Sequence, residues 1–251
     1  MTAVGAAEIT RDTLLGGRVR LAQPKRGLRA AIDPVLLAAA VPARAGEQAF
    51  EAGSGTGAAA LCLAWRVPGV RVSGIELDPA LVRLADDNAR ANGMDDRVRF
   101  FAGDLFALPS ELAGKKFNHV FANPPFLEAG SGTLSPDPAR RRATAEGAGG
   151  LAAWVAACCD RLAPGGTLTL IHRADRLDAL VAALSEHAGG IVIFPLWAGE
   201  GKPAKRIIVA AREGAAEPTV TRPGLVLHRR GGGYTSEAEA ILREGRALPM
   251  S

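Results

Sequence analysis

The sequence alternates between short apolar segments and longer helical segments from about residue 47 to residue 212, and this alternation restricts the possible folds more than any other feature. Seven apolar segments are predicted to be strands: 48–52, 71–77, 97–102, 119–123, 167–172, 191–196 and 206–211. Strands that are separated by helices of this length form parallel βαβ units. The sequence therefore predicts an α/β fold with a mainly parallel central sheet.

The two flanking parts differ from this region. Residues 9–22 contain two alternating runs around a Gly-Gly pair, a pattern that is typical of a β-hairpin. Asp33 and Pro34 predict a helix start with Asp33 as the N-cap residue. In the tail we predict a strand over 225–228 and a helix over 236–243. We expect three parts: an N-terminal hairpin with a basic segment over 1–32, a central domain over 33–212 and a C-terminal extension over 213–251.

Composition excludes several classes of protein. The 251 residues are 48% hydrophobic and 22% charged, which is ordinary for a globular protein and too apolar for a disordered one. We find no apolar stretch of about 18 residues and no basic segment followed by an apolar run, so we expect no membrane span and no signal peptide. Cys62, Cys158 and Cys159 have no partner at a metal-ligand spacing, so we expect no metal site and a cytoplasmic location.

A glycine-rich segment joins the first strand of the central region to a helix. Glu51 ends the strand, and Gly53, Gly55 and Gly57 follow at alternate positions. Glycines in such a turn allow tight bends and let a ligand approach the main chain. The next strand ends at Glu76, and an acid there can bind the two hydroxyl groups of a ribose, in a dinucleotide or in another nucleoside. A plain strand-to-helix turn is the structural alternative.

The Gly-x-Gly-x-Gly spacing differs from the Gly-x-Gly-x-x-Gly spacing that fits a pyrophosphate. With Glu51, it resembles the first motif of the class I S-adenosylmethionine-dependent methyltransferases. The resemblance implies S-adenosyl-L-methionine as cofactor, and a Rossmann-like sandwich with a seven-stranded, mainly parallel sheet whose last strand is antiparallel. It also implies that Asp104 meets the adenine amine, although Asp104 could instead cap a short helix. The implied cofactor-binding residues are Asp33, Glu51, Gly53, Gly55, Gly57, Glu76, Leu77, Asp104, Leu105 and Asn123.

The most specific signal is the run Asn123-Pro124-Pro125-Phe126 at the end of a predicted strand. Two prolines end a strand and rigidify the turn, and a simple strand stop is the structural alternative. The run resembles the fourth motif of methyltransferases that modify planar amino groups. Such an amine is a poor nucleophile, and the Asn123 side-chain oxygen and the Pro124 carbonyl can each accept one of its N–H bonds and aim its lone pair. Phe126 can stack on a base. We therefore expect Asn123, Pro124 and Phe126 to be catalytic.

The whole arrangement, hairpin included, resembles the bacterial tRNA1(Val) adenine N6-methyltransferase group over residues 10–212. The motifs that carry the resemblance are Asp33-x-x-Leu36-Leu37, Glu51-x-Gly-x-Gly-x-Gly, Asn123-Pro-Pro-Phe and Lys202-Pro-x-Lys205-Arg206. The resemblance implies methylation of N6 of an adenosine next to the anticodon of tRNA, so tRNA is the expected partner. We expect a monomer or a homodimer.

Basic residues are candidates for contacts with RNA. A charge run is usually a solvated face, and the net charge is only +4, but basic groups that flank one cleft would form a phosphate-binding surface. The candidates are Lys25, Arg26, Arg140, Arg141, Arg142, Lys205 and Arg206. Two other functions stay open: methylation of a glutamine amide or a small molecule, and RNA binding without turnover.

Overall fold

A computed structural model describes residues 8–26, 29–124 and 150–250 of the chain. Four of the predicted site residues, Phe126, Arg140, Arg141 and Arg142, lie outside the described residues. The strands and helices given below all belong to the described residues.

The predicted N-terminal hairpin is confirmed. Its strands, β1 (Ile9–Leu14) and β2 (Val19–Pro24), pair antiparallel, and a 3-10 turn over Leu15–Gly17 connects them. Val19 and Leu21 of β2 are buried in the core. The hairpin is therefore packed on the rest of the protein through one face of β2.

The remaining strands form one sheet. They are β3 (Gln48–Ala52), β4 (Arg71–Glu76), β5 (Val98–Ala102), β6 (Phe117–Ala122), β7 (Leu162–Arg173), β8 (Gly189–Gly199), β9 (Ala204–Arg212), β10 (Val220–Thr221) and β11 (Leu225–His228). The helices are α1 (Asp33–Ala40), α2 (Ala58–Arg66), α3 (Pro79–Ala91), α4 (Gly150–Cys159), α5 (Leu177–Ser185) and α6 (Ser236–Leu242). All seven strands predicted for the central region are present.

The strand order across the sheet is β10-β8-β9-β7-β6-β3-β4-β5, and β11 also pairs with β8. Strand β9 is antiparallel to its neighbours β7 and β8, whereas the other pairs in this sheet are parallel. The predicted α/β fold, with seven mainly parallel strands and an antiparallel last strand, is confirmed. The tail adds the short strands β10 and β11 to the β8 edge, and the sequence predicted only the second of them.

Helices cover both faces of the sheet. On one face, α1, α2, α3 and α6 pack together with the hairpin around residues such as Leu36, Leu61 and Val82. On the other face, α4 and α5 pack through residues that include Val155 and Leu180. A mainly parallel sheet requires this arrangement, because both of its faces must be removed from water.

The predicted start of α1 is confirmed, but the predicted role of Asp33 as its N-cap is wrong. Asp33 is the first residue of the helix, and Ile32 occupies the cap position without a side-chain hydrogen bond. The Asp33 carboxylate instead forms an ion pair with Arg206 at 3.1 Å. At α3 the same Asp-Pro pattern does produce a cap, because the Asp78 carboxylate accepts the Ala80 N–H at 2.8 Å. The pattern fixes where a helix begins, and tertiary contacts decide whether the acid caps it.

The apolar run over residues 151–162, stopped by Pro164, predicts a helix to residue 162, but the helix α4 ends at Cys159. The Phe117 N–H of β6 donates to the Arg161 carbonyl at 2.8 Å, and Leu162 pairs with Phe117 across the sheet. Leu162, the last residue of the apolar run, therefore belongs to β7, because it pairs with a residue of β6 instead of continuing the helix.

The C-terminal tail closes over the central region and reaches the hairpin. The Leu248 N–H donates to the Ala39 carbonyl at 2.8 Å. The Arg18 guanidinium of the hairpin turn lies over the Trp65 ring, 5.5 Å from its centroid, and donates to the Arg243 carbonyl at 2.6 Å. The hairpin turn and the C-terminal tail thus meet on the α1–α2 face of the sheet.

Within the described ranges, no helix combines the length and the apolar character needed to cross a membrane. The same ranges contain no group of three or more His, Cys, Asp or Glu side chains that could hold a metal ion. The cysteines are free thiols, and burial, with the neighbouring Asp160 carboxylate, raises the pKa of Cys159 to about 11. Cys159 therefore stays protonated at neutral pH and is a weak nucleophile.

Candidate active site

The predicted site residues meet where four parallel strands end side by side. Across the sheet, Ala52 at the end of β3 pairs with Ile75 of β4 on one side and with Ala122 of β6 on the other. Glu76 of β4 pairs in turn with Ala102 of β5. Asn123, the glycine loop, Glu76 and Asp104 therefore follow one another in this order along the carboxyl edge, where open α/β sheets bind ligands.

The glycine loop adopts a backbone that side chains rarely allow. Gly53, Gly55 and Gly57 all have positive φ angles, of 70°, 54° and 80°. A Cβ atom on Gly57 would lie 2.5 Å from Cζ of Phe100, and a Cβ on Gly53 would lie 3.1 Å from the Trp154 ring. At Gly55 no atom lies within 4 Å of the Cβ position. Neighbouring rings thus support the loop from below, and its middle glycine faces space that a ligand can enter.

Glu76 joins the loop to the end of β4. Its Oε2 accepts the Gly55 N–H at 2.9 Å, and its Oε1 accepts the Asp78 N–H at 3.0 Å. The side chain is partly exposed. A carboxylate accepts about four hydrogen bonds. Two backbone donors therefore fix the orientation of the Glu76 carboxylate, which can still accept hydrogen bonds from two neighbouring hydroxyl groups of a ligand.

Glu51 lies beneath the loop and is 5% exposed. Its Oε2 accepts the Ala60 N–H at 3.0 Å, which ties the end of β3 to the first turn of α2. Burial raises the pKa of Glu51 well above its usual range, the Glu76 carboxylate adds to the shift, and the Ala60 N–H opposes it. Glu51 thus shapes the loop from inside the fold.

Two large apolar side chains stand exposed beyond β4 and β5. Leu77 is 68% exposed and Phe106 is 51% exposed, whereas Leu105 is buried at 9%. The Asp104 Oδ1 accepts the Phe106 N–H at 2.9 Å, and this turn sends Leu105 into the core and Phe106 outward. Leu105 is one of the cofactor-binding residues that the resemblance implies, whereas Phe106 is not among them. The Asx turn at Asp104 is the signal that would have found it.

Asn123 and Pro124 extend beyond β6, next to the glycine loop. The Asn123 Oδ1 atom is buried, and it accepts no hydrogen bond from the described residues. Pro124 is buried. Buried polar atoms are nearly always hydrogen-bonded, and leaving one without a partner costs about 1–3 kcal/mol. An acceptor held in this state is suited to a donor that arrives with a ligand.

Two asparagines of α3 attach the hairpin to the central region, and the sequence analysis missed them. The Asn88 Nδ2 donates to the Ala22 carbonyl at 2.9 Å, and its Oδ1 accepts the Ala22 N–H at 2.7 Å. Asn92 forms the same two bonds with Arg20, at 2.7 and 2.8 Å. In addition, the Asn88 Nδ2 donates to the Thr56 carbonyl in the glycine loop at 3.0 Å. Asn88 connects the hairpin to that loop, whereas Asn92 bonds to the hairpin backbone and to the Asn88 carbonyl, at 2.8 Å, and makes no bond to the loop.

The described basic candidates lie on two sides of this edge. Lys205 and Arg206 begin β9, whose antiparallel direction places its start at the carboxyl edge. The Arg206 Nε lies 3.1 Å from the Asp33 Oδ2. Strand β2 runs along α3 toward the start of that helix, which lies at the same edge, and Lys25 and Arg26 follow β2. Lys25 forms an ion pair with Glu8 at 2.9 Å.

Comparisons with known proteins agree on the family. Residues 31–136 match the profile of the methyltransferase small domain. A tRNA1(Val) (adenine(37)-N6)-methyltransferase of Aeromonas hydrophila is 30% identical over 214 residues, which cover 83% of this chain and 86% of that protein. A protein of the same name from Porphyromonas gingivalis is 36% identical over 163 residues, and there the match spans 61% of this chain and only 62% of the relative.

Two further proteins resemble this chain, one in sequence and one in fold. A 4-amino-L-phenylalanine/4-methylamino-L-phenylalanine methyltransferase of Streptomyces pristinaespiralis is 37% identical over 135 residues, covering 51% of this chain and 44% of that protein. A solved structure, described as a predicted O-methyltransferase from Agrobacterium tumefaciens, has a TM-score of 0.71 at 23% identity and covers 86% of this chain and 97% of its own. At that identity the second likeness concerns the fold alone.

Proposed function

The chain belongs to the S-adenosylmethionine-dependent methyltransferase family that includes the tRNA1(Val) (adenine(37)-N6)-methyltransferases, and on this premise we propose that it methylates N6 of an adenosine next to the anticodon of tRNA. The observation that carries the proposal is the buried Asn123 Oδ1, which lacks a hydrogen-bond donor among the described residues and stands beside the glycine loop. An exocyclic amine supplies such a donor.

The residues at the carboxyl edge fit S-adenosyl-L-methionine. Gly55 faces open space, Glu76 keeps acceptor capacity for the ribose hydroxyls, and the exposed Leu77 and Phe106 offer apolar surface to the adenine ring. The second carboxylate oxygen of Asp104 can accept the adenine amine, since Oδ1 is used by the chain itself. When bound, the cofactor supplies an electrophilic methyl group on a sulfonium centre.

Asn123 and Pro124 are proposed to hold the acceptor amine. The Asn123 Oδ1 and the Pro124 carbonyl each accept one hydrogen bond from the amine. These bonds localise the lone pair on the amine nitrogen and direct it toward the cofactor. Positioning supplies most of the rate in such a reaction. The product ammonium loses its proton readily, so the site needs no strong base.

We expect the glycine loop to depend on Asn88. Asn88→Ala removes three hydrogen bonds, at roughly 1 kcal/mol each, and one of them holds the loop, so the Kd of S-adenosyl-L-methionine should rise about fivefold. Asn92→Ala loosens the hairpin but makes no bond to the loop, and its cofactor affinity should stay at the wild-type value. Calorimetric titration of both variants, with melting temperatures, separates the two effects. Equal Kd values for both variants would contradict this role of Asn88.

The acceptor is proposed to be tRNA because the relatives that match most of the chain carry that name and because basic residues flank the edge. Described members of this set are Lys25, Arg26, Lys205 and Arg206. Lys25 and Arg206 are ion-paired, with Glu8 and Asp33. Arg26 and Lys205 form no ion pair among the described residues, and their charges suit a phosphate backbone that crosses the edge near Asn123.

The proposal is tested by offering acceptors separately. Total tRNA, ribosomal RNA and cell protein, all from a strain that lacks this enzyme, are incubated with the chain and methyl-labelled S-adenosyl-L-methionine. We expect label in tRNA alone. Label in protein only, or in none of the pools while the cofactor still binds, would overturn the tRNA assignment.

A small aromatic amine is the second candidate acceptor. The Streptomyces relative is named for an amine on a phenyl ring, and its match covers about half of this chain. The same Asn123 contact would serve that acceptor. Incubation with 4-amino-L-phenylalanine as a fourth arm decides between the two, because tRNA and this amino acid are distinct labelled products.

A further inference from the structure

An open groove lies at the outer edge of the sheet, where the β8–β9 turn meets the tail. It has a volume of about 650 Å³ and is lined by Trp197, Gly199, Glu200, Lys202, Pro203 and Val226. We name this feature the edge groove. None of its lining residues takes part in the site described above.

The C-terminal tail forms one wall of the edge groove and holds the side chain of Trp197 in place. The Trp197 Nε1 donates to the Pro223 carbonyl at 2.8 Å, and Val226 of β11 pairs with Trp197 across the sheet. A Cβ atom on Gly224 would lie 2.2 Å from the Pro195 carbonyl oxygen, so the tail approaches β8 as closely as glycine permits. The Trp197 ring is therefore held in one orientation, with part of its surface open to the groove.

Three basic residues form what we call the rim: Lys202 lines the edge groove, Lys205 stands at the start of β9, and Arg229 follows His228, which pairs with the lining residue Gly199. Lys202, Lys205 and Arg229 are exposed, and among the described residues none of them forms an ion pair, whereas Arg230 pairs with Glu200 at 3.0 Å. The loop that carries Arg229 is closed by the His228 and Tyr234 rings, which stack at 4.8 Å. The rim thus presents uncompensated positive charge on a structured loop.

The edge groove lies at the carboxyl ends of its strands, as Asn123 does. Strand β8 is parallel to β7 and β6 because β9 is antiparallel to both of its neighbours, and β11 is parallel to β8. Three strand spacings separate β6 from β8, which amounts to about 14 Å. A ligand that occupies both places must be longer than one nucleotide.

We propose that the edge groove is a second nucleotide-binding site, which holds a nucleotide that flanks the methylated adenosine of the RNA. Its base stacks on Trp197, and its phosphates contact Lys202 and Arg229. An aromatic face next to basic side chains is the combination that binds single-stranded nucleic acid. This inference rests on the proposed function, and it gives the C-terminal tail a role in substrate binding.

The charged rim is tested with the double variant Lys202→Glu/Arg229→Glu. Its control is Arg71→Glu/Lys115→Glu, which makes the same change in net charge with exposed residues near the amino ends of β4 and β6, at the opposite edge. Filter binding with total tRNA from a strain that lacks the enzyme should give a Kd about tenfold weaker for the rim variant than for the control. The slope of log affinity against log salt should fall by about 1 to 2.

The stacking contact is tested with Trp197→Ala and Trp197→Phe. Alanine should weaken tRNA binding about 5-fold to 100-fold, the range for loss of one stacked base, whereas phenylalanine should keep most of the affinity. For the rim variant and for Trp197→Ala the KM for tRNA should rise, while kcat at saturating tRNA and the Kd of S-adenosyl-L-methionine should stay at their wild-type values. Melting temperatures identify any variant that fails to fold.

The outcomes separate this inference from the proposed function. If the wild-type protein transfers no methyl group to tRNA, the proposed function fails. If it does, and the rim variant matches its control in Kd and salt slope while Trp197→Ala binds like Trp197→Phe, the edge groove is not a nucleotide site.

Discussion

The Asn123→Ala variant is expected to bind S-adenosyl-L-methionine with nearly wild-type affinity and to transfer methyl groups about 10²–10³ times more slowly. That range is typical for the loss of one preorganised hydrogen-bonding group in an active site. The substitution removes the buried acceptor that we assign to the amine of the substrate. Because this oxygen accepts no bond from the described residues, its removal should change the free energy of unfolding by no more than about 1 kcal/mol.

The matched control lies on β6, the strand that Asn123 follows. Asn118 is exposed near the start of β6, and its Oδ1 accepts the Gln48 N–H at 2.9 Å. Asn118→Ala should cost some stability and leave turnover unchanged, which is the reverse of the result expected at Asn123. Single-turnover rates and calorimetric Kd values for both variants are the measurements. Wild-type turnover in Asn123→Ala would contradict the assigned role.

Gly57→Ala is expected to be the most destabilising single change at the glycine loop. Gly57 has φ 80°, and an added Cβ would lie 2.5 Å from Cζ of the buried Phe100. Backbone strain of about 1–3 kcal/mol and overpacking of about 1–3 kcal/mol combine to lower the free energy of unfolding by roughly 3–5 kcal/mol. Cofactor affinity should fall at least about tenfold, since the loop must move to relieve the contact.

The Gly46→Ala variant separates backbone strain from overpacking as causes of the lost stability. Gly46 has φ 86°, similar to Gly57, but no atom lies within 4 Å of its Cβ position. This variant should show the strain cost alone and bind the cofactor normally. In the Gly57→Ala background, Phe100→Leu should recover part of the lost stability, as measured by urea denaturation. Equal losses for Gly46→Ala and Gly57→Ala would show that the Phe100 contact does not contribute.

Elements whose cause is local were predictable from the sequence. The strands of the central region follow from short apolar runs, and the cap of α3 follows from the Asp78-Pro79 pair, which acts within its own turn. The grouping of the glycine loop, Glu76 and Asn123 follows from topology, because parallel strands bring their carboxyl ends to one edge. These features need no knowledge of distant contacts.

Features that depend on distant partners were not predictable. Asp33 has the local pattern of a cap, yet Arg206, far along the chain, takes its carboxylate. Asn88 occupies an ordinary helix position, and only the docked hairpin reveals its bonds. The strand β10 has two residues and no apolar alternation, so its pairing with β8 could be found only in the folded chain.

We propose that this chain methylates the exocyclic amine of an adenosine in tRNA. The most direct measurement is nucleoside analysis by mass spectrometry of tRNA from a strain that lacks the enzyme, after incubation with the purified chain and labelled S-adenosyl-L-methionine, with Asn123→Ala as the blank. We predict that the label appears in N6-methyladenosine with the wild-type chain and is lost with the variant. Label in another nucleoside, or N6-methyladenosine formed equally by the variant, would contradict the account.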